Sequence, residues 1–280
     1  MNSCKKILLF SFLVLCTLAT GAQEKLNWKK INVLVYTKNG KGYVHENIPY
    51  AVSCIQQMGR KHGFKVDTSS NPSVMTENNL KRYTMLIFPS TNNDVFDNNH
   101  QRLAFRRYME AGGGFVGIHS VTGTERNWKW FKNMLGGTFA WHANFQKFKV
   151  KMIDPAHSSM QGLPKVWEIE DECYFAKQLF PGPKVLMAHD ITSLNATDTV
   201  QRNLIVKHAG GYTELYPAVW THNFDGGHTW VTALGHDKKD YGEPVYMQHL
   251  LQGIRYIAGT VKPLNFNKAY AASFDDEVRY

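Results

Sequence analysis

The chain has 280 residues, of which 43% are hydrophobic and 20% are charged, as in ordinary soluble globular proteins. This length favours one large core over two domains. The formal net charge of +9 comes from basic residues spread along the sequence without a block, so it gives no support to nucleic-acid binding.

The first residues form a separate segment. Lys5 and Lys6 precede an apolar run from Ile7 to about Ala19, and small residues follow it as far as Ala22. A basic start, a short apolar run and small residues are typical of a secretory signal, and the run is too short to span a bilayer. We predict a signal peptide over residues 1–22 and a single domain over 23–280, in the periplasm or outside the cell. No later run is long and apolar enough to span a bilayer.

Cleavage after residue 22 leaves two cysteines, Cys54 and Cys173. Two cysteines cannot form a disulfide framework, and a domain of this size does not need one. The sequence leaves a single bridge between them open.

Strand and helix patterns alternate through the first half. The predicted strands are residues 31–37 (INVLVYT), 64–69 (FKVDTS), 84–90 (TMLIFPS) and 114–118 (GFVGI). The predicted helices between them are 50–62, capped by Asn47 and ended by Gly63, then 76–83, and then 98–112, opened by Asp97. This alternation predicts an open, mostly parallel sheet covered by helices.

The second half contains more strands and fewer helices. Strands are predicted at 148–153, 184–189, 203–208, 216–222 and 228–236. A final helix is predicted over 243–259, with Pro244 in its first turn.

Histidines follow three of the predicted parallel strands. His45 lies in the loop after the first strand, His119 and Ser120 follow GFVGI, and His236 follows HTWVTAL. Ligands of open α/β sheets bind beyond the carboxyl ends of the strands, so these side chains are expected at one edge. With an ordinary pKa of about 6.5, histidine can exchange protons near neutrality, and its neutral form binds metals.

Structural interpretations remain open for several histidines. His45 could hydrogen-bond backbone at the start of a helix, and His142, in an aromatic setting, could be packed in the core. No two histidines have the local spacing of a zinc motif, so a divalent metal site assembled from separate loops stays an alternative and the metal ligands stay unknown.

A run of acids lies in the segment WEIEDECYFA. Alternation along a strand would place Glu168, Glu170 and Glu172 on one face and Asp171 on the other. We interpret the first two as a solvated edge, and regard Asp171 and Glu172, beside Tyr174, as the candidates for a site.

Tryptophans are frequent after residue 120. Trp128, Trp130 and Trp141 follow the His119 loop closely. Aromatic faces of this kind can stack on the C–H face of a sugar, although core packing explains at least half of the tryptophans equally well.

Seven segments together resemble the trehalose-utilisation (ThuA-like) family. In order they are VLVYT with His45 after it, GGGFVGIHS, WKWFKNMLGGTFAWH, DPAHSSMQGLP, DECYF, YPAVWTH and TALGHD. The resemblance covers nearly the whole chain after the signal. It implies the flavodoxin-like fold of the class I glutamine amidotransferases, with His119 or Ser120 where those enzymes carry a cysteine. Without that thiol, glutamine amidotransferase chemistry is not expected.

The resemblance also implies a function in the use of trehalose or related disaccharides, at the level of 3-keto sugars. It makes His119, Glu172 and His236 the candidate base, acid and electrophilic support, with the individual roles open. The candidate substrate-binding residues are His45, Ser120, Trp128, Trp141, His142, Asp171 and Tyr174.

Three functions remain in competition at this point. The first is an exported enzyme that acts on keto-glycosides by lyase, isomerase or hydrolase chemistry. The second is a direct glycoside hydrolase with paired carboxylates. Asp171 or Glu172 would be one member of the pair, and Asp94 and Asp237 are the other acids near strand ends. The third is a non-catalytic sugar-binding protein. The partner in each is a small sugar, and the oligomeric state stays unknown.

Overall fold

The computed structural model describes residues 26–196 and 198–279. The predicted signal peptide lies outside the described residues. Within the two described ranges, no helix combines the length and the apolar character needed to cross a bilayer.

Eleven strands and six helices make up the framework of the described chain. The strands are β1 (Asn32–Tyr36), β2 (Lys65–Ser69), β3 (Met85–Pro89), β4 (Gly114–Ile118), β5 (Gly137–His142), β6 (Gln146–Met152), β7 (Val166–Asp171), β8 (Tyr174–Leu179), β9 (Lys184–Asp190), β10 (Leu215–Phe224) and β11 (Gly227–Thr232). The helices are α1 (Ile48–His62), α2 (Glu77–Leu80), α3 (Asn99–Glu110), α4 (Lys129–Leu135), α5 (Thr199–Ala209) and α6 (Pro244–Thr260).

Nine of these strands form one mixed sheet in the order β2-β1-β3-β4-β11-β10-β9-β6-β7. The first five are mutually parallel, in the flavodoxin-like order with β11 as the fifth strand. The other four pair antiparallel, each with its neighbour, and β5 and β8 form a separate two-stranded sheet. The predicted open α/β fold with extra strands in the second half is confirmed.

Helices cover both faces of the central parallel strands because β1, β3 and β4 carry buried residues on both sides, whereas the edge strand β2 is mostly polar and has none. In β1, Val33 and Val35 pack into the core beneath α1 and α6. Leu34 and Tyr36 pack into the opposite core, beneath α3 and α4. This period-two alternation explains why the strand sequence is almost continuously apolar.

The antiparallel half curves back over α6. Trp230 of the central strand β11 packs against His249 of α6, with ring centroids 4.9 Å apart. Trp167 of the edge strand β7 packs against the same histidine at 5.8 Å. Three strands lie between β11 and β7 in the sheet order, so this shared contact brings the distant edge strand close to the central one.

Two local predictions are wrong. Residues 203–208 were predicted as a strand but lie in helix α5, where the Asp198 side chain caps the helix by accepting the Gln201 N–H. Val200 and Val206 of this helix are 66% and 73% exposed, so its β-branched residues do not pack in a sheet. Helix α3 is capped by Asn98 and not opened by Asp97.

Candidate functional site

Four side chains from separate loops converge at the carboxyl edge of the sheet. His45 precedes α1, and His119, Glu172 and His236 follow β4, β7 and β11. One nitrogen or carboxylate oxygen from each residue lies within 4.8 Å of those of the other three. We call these four residues the His/Glu cluster. The structure thus brings together four of the site residues predicted from the sequence.

His119 is held at the bottom of the cluster by a strained turn. Its φ of 52° places it in the left-handed region, which a residue other than glycine adopts at a cost of about 1–3 kcal/mol. Its side chain is fully buried, and Nδ1 lies 3.2 Å from the Ala233 carbonyl oxygen. Because a carbonyl oxygen only accepts, Nδ1 carries the proton and Nε2 of the neutral ring has a free lone pair. The Tyr174 hydroxyl lies 3.0 Å from that Nε2.

His45 is oriented through Ser120. The Ser120 hydroxyl donates to the Thr91 carbonyl oxygen at 3.2 Å and lies 3.1 Å from His45 Nδ1. Since the serine proton is used on Thr91, His45 Nδ1 must donate to Ser120 Oγ, and His45 Nε2 is left unprotonated. Ser120 therefore orients a histidine of the cluster.

The loop that carries His236 is fixed by hydrogen bonds from two directions. Asp171 accepts the N–H groups of Gly235 at 2.7 Å and His236 at 3.2 Å. Asn47 donates to the carbonyl oxygens of the same two residues at 2.7 and 3.0 Å. Asn47 stands at the N-cap position of α1 as predicted, but its side chain makes no cap hydrogen bond and is directed to this loop.

Gly235 is required in this loop. Its φ is +105°, and a Cβ at this position would lie 1.8 Å from the Tyr246 hydroxyl. Only glycine avoids both the strained backbone and the collision. The glycine before His236 therefore lets the chain turn directly from β11 into the cluster.

The carboxylate of Glu172 lies close to three histidine rings. Its Oε2 lies 3.0 Å from His236 Nδ1 and 3.7 Å from His119 Nε2, and its Oε1 lies 3.4 Å from His142 Nδ1. The strand was predicted to continue through Glu172, but β7 ends at Asp171. This break turns the Glu172 side chain into the cluster, away from the exposed face of Glu168.

Burial and charge set different protonation preferences for the histidines. Burial, with the nearby His236, lowers the pKa of His45 to about 4. Burial also holds the pKa of His119 well below its usual value. For His236, burial acts in the same direction, but the hydrogen bond and charge of Glu172 outweigh it and raise the pKa. The two deeper rings are therefore neutral near pH 7, whereas His236 holds a proton more readily.

Asp171 is a fully buried support beneath the cluster. Besides the loop of His236, it accepts the Glu172 N–H at 2.7 Å. Burial raises its pKa to about 7, and the three backbone N–H groups oppose that rise. One carboxyl group thus fixes the backbone on both sides of the cluster, and its oxygens point at backbone and not at a substrate.

A cavity of about 260 Å³ opens beside the cluster. It is lined by Tyr43, His45, Glu46, Asn47, Phe145, His236, Asp237 and Lys238. His45 and His236 thus connect the cavity to the deeper His119 and Glu172. Larger cavities of about 480 and 570 Å³ lie elsewhere and are lined by none of the four cluster residues.

Comparison with known proteins places this site in a family. The family model for trehalose utilisation, ThuA, matches residues 32–257, which include the whole His/Glu cluster. The chain belongs to the ThuA family. No curated protein matches the chain.

Solved structures with ThuA-like descriptions share the fold. A ThuA-like protein from Bacteroides uniformis is 21% identical, with a TM-score of 0.68 over 86% of this chain and 96% of its own. One from Parabacteroides merdae is 17% identical, with a TM-score of 0.63 over 86% of this chain and 99% of its own. At identities this low, the similarity shows that this chain shares the fold of these two proteins.

The remaining predicted binding residues of the ThuA-family chain fall into two groups. His142 and Tyr174 are paired neighbours on β5 and β8 and border the cluster. Trp128 is 4% exposed in the core, where its Nε1–H donates to the Phe274 carbonyl oxygen, and Trp141 stacks on His208. The structure therefore does not bring these two tryptophans to the cluster.

The aromatic residues at the cavity were missed by the sequence reasoning. Tyr43 is 61% exposed and contacts His45 edge-on at 4.8 Å between ring centroids. Phe145 is 40% exposed and lies 5.7 Å from the His236 ring. Their closeness in sequence to His45 and His142 was the available signal, because residues beside a site histidine tend to share its cavity.

Proposed function

We propose that this chain is an exported carbohydrate-active enzyme that acts on 3-keto-glycosides through the His/Glu cluster. The observation that carries the proposal is the convergence of His45, His119, Glu172 and His236 beside a cavity with exposed aromatic residues. Membership in a trehalose-utilisation family supports a sugar as the substrate.

A keto sugar suits this set of groups. A ketone acidifies the C–H bond on the neighbouring ring carbon, so a base of near-neutral pKa can remove that proton. The electron pair moves onto the ketone oxygen as an enolate and then returns to expel the oxygen at the anomeric carbon. That leaving oxygen takes up a proton, which gives an unsaturated keto sugar and a free sugar, or water then adds to complete hydrolysis. The base, the acid and the support for the enolate would come from His119, Glu172 and His236 and the groups that they hold.

Direct hydrolysis by two carboxylates receives less support from the geometry. Glu172 is the carboxylate of the cluster, and the neighbouring Asp171 is buried against three backbone N–H groups. A retaining or inverting hydrolase needs a second carboxyl group facing the same bond. Asp237 lines the cavity, but the His-rich floor favours proton transfer on a keto sugar.

The test is a direct comparison of substrates. The purified protein is incubated with trehalose and with 3-keto-trehalose, and the products are followed by mass spectrometry. We expect loss of the keto sugar alone. Release of glucose from unmodified trehalose would instead identify a glycoside hydrolase, and binding without turnover of either sugar would identify a sugar-binding protein.

Export rests on the N-terminal sequence and has its own test. A basic start, an apolar run and small residues ending at Ala22 support cleavage by a signal peptidase. We expect the protein recovered from the periplasm or the medium to begin at Gln23 by N-terminal sequencing. Recovery from the cytoplasm with Met1 retained would contradict export.

A further inference from the structure

The cluster has the donor set of a transition-metal site. Three imidazoles and one carboxylate are borderline-to-hard ligands that suit Zn²⁺ and neighbouring divalent ions. Among the described residues, this is the one group of three or more His, Cys, Asp or Glu side chains with the spacing to hold a metal.

The distances between donor atoms fit a small ion. His119 Nε2, His236 Nδ1 and Glu172 Oε2 form a triangle with sides of 3.0, 3.2 and 3.7 Å. An ion with bonds of about 2.0–2.2 Å in tetrahedral geometry separates its ligand atoms by roughly 3.3–3.6 Å. The triangle is therefore close to one face of such a tetrahedron before any adjustment.

In two of the histidines, the ring nitrogen Nδ1 already donates a hydrogen bond to another part of the protein. His119 Nδ1–H donates to the Ala233 carbonyl oxygen, and His45 Nδ1–H donates to the Ser120 hydroxyl. Metal-binding histidines almost always donate their second N–H in this way, which fixes the tautomer and aims the free nitrogen at the ion. Both rings therefore hold an unprotonated Nε2 within buried surroundings, without a metal being needed to orient them.

The site also has an open side. His119 is fully buried, whereas the side chain of His236 is 25% exposed and borders the cavity with His45. Structural zinc sites are closed, and catalytic sites leave a position for water or substrate. An ion here would face the cavity from its floor.

We propose that His45, His119, Glu172 and His236 bind one first-row divalent transition-metal ion, with a coordination position open to the cavity. The role of this ion rests on the proposed function: it would polarise the ketone oxygen of the sugar and stabilise the enolate. The four residues then act through the metal, and substrate contact falls to Tyr43, Phe145 and His142.

The experiment measures binding without substrate. The untagged protein is stripped with a chelator, reloaded with Zn²⁺, desalted and analysed for metal content by mass spectrometry. We expect one zinc per chain in the unaltered protein and loss of that zinc on desalting in Glu172→Gln. Glu170→Gln, a change of an acid on neighbouring β7 outside the cluster, is the matched control and should retain one zinc.

A second readout guards against misfolding of the variant. Co²⁺ loaded into the unaltered protein should give the visible absorption of a four- or five-coordinate nitrogen–oxygen site, and Zn²⁺ should abolish it by displacement. No retained zinc and no cobalt spectrum in the unaltered protein would overturn the proposal. Equal zinc retention by Glu172→Gln would also overturn it.

The outcome of the metal-binding experiment can be distinguished from the outcome of the substrate test of the proposed function. Zinc binding without turnover of any keto sugar would leave the metal site standing and remove the enzyme proposal. Turnover by chelator-treated, metal-free protein would support the enzyme proposal and remove the role of the ion in the reaction.

Discussion

Two clusters of buried polar side chains lie at opposite edges of the sheet, and they differ in how their hydrogen bonds are completed. At the amino edge, the fully buried Arg106 pairs with Glu110 at 2.9 Å and with Asp225 at 3.5 Å. It also donates to backbone carbonyl oxygens of the C-terminal segment, including that of Phe274 at 3.3 Å. At the carboxyl edge, His45 and His119 each donate from one ring nitrogen to the protein and keep the other nitrogen unprotonated within the cluster.

We interpret this difference as the one between a structural cluster and the functional cluster that we propose. A buried charge whose partners are all supplied by the protein stabilises one conformation and has little capacity left for a ligand. Lone pairs held at the edge of a cavity have that capacity. Both clusters are buried and polar, so burial alone does not identify the site.

The largest expected effect tests the functional cluster. His119→Asn removes the imidazole, while asparagine tolerates the left-handed backbone at this position. We expect kcat/KM for the keto sugar to fall by about 10²–10⁴-fold, the usual contribution of the proton-transfer step that depends on this side chain or on the ion it would hold, with little change in the thermal stability of the metal-free protein. The assay is product formation by mass spectrometry alongside a melting curve. His100→Asn, at an exposed position of α3, is the control. Equal activity of the two variants would show that the His/Glu cluster is not the functional one.

The next effect tests the structural cluster. Arg106→Met leaves Glu110 and Asp225 buried without their shared cation, so the free energy of unfolding should fall by about 3–5 kcal/mol. Urea denaturation measures this loss. The protein that remains folded should keep its turnover number and its zinc. A stable Arg106→Met protein without turnover would assign Arg106 to the function instead.

A smaller effect is expected at the support of the functional cluster. Asp171→Asn replaces an oxygen that accepts a backbone N–H with an amide group that cannot accept, which loosens the Glu172 and His236 loops. We expect zinc affinity and kcat to fall by about 10–100-fold, as for other groups that orient ligands, with KM less affected. Glu168→Gln, exposed on the same strand, is the control. An Asp171→Asn protein that loses stability but keeps its zinc affinity and kcat would make Asp171 merely structural.

The smallest effect concerns the cavity. Phe145→Ala removes an exposed ring beside His236, so we expect KM to rise about fivefold with kcat unchanged, in line with about 1 kcal/mol for an aromatic contact. Tyr212→Ala removes an exposed ring that lines a different cavity and should leave KM unchanged. Steady-state kinetics on the keto sugar distinguishes the two, and an unchanged KM in Phe145→Ala would remove this ring from the binding surface.

The parallel half of the fold, and the histidines at its edge, could be predicted because the information is local. Apolar runs mark β1, β3, β4 and β11, and parallel strands must bring His119 and His236 to one edge. The contribution of Glu172 was predicted from the crowding of acids around it and from the family resemblance of the DECYF segment. Its position depends on the curvature of the sheet around α6, which no short stretch of sequence encodes.

Two of the differences from the sequence predictions have a common origin. Asn47 stands at the N-cap of α1, but its side-chain amide donates to a loop almost 190 residues away, and this orientation keeps the side chain from capping the helix. Trp128 follows the His119 loop closely, but the C-terminal segment accepts its N–H and buries it. In each case a contact distant in sequence overrode a local preference.

The curvature that brings β7 back over α6 also has a consequence for the order of folding. Residues 32–118 can form four parallel strands with short connections, yet the site needs β7, which pairs through β6, β9 and β10. Such long-range pairings form late in folding. The conformational entropy of the intervening chain must be lost before the contacts between the strands can compensate for it. A chain with a native-like parallel core and an undocked β6–β7 hairpin would therefore be compact but inactive. Activity, or a bound ion, would report completion of the fold more faithfully than secondary structure content does.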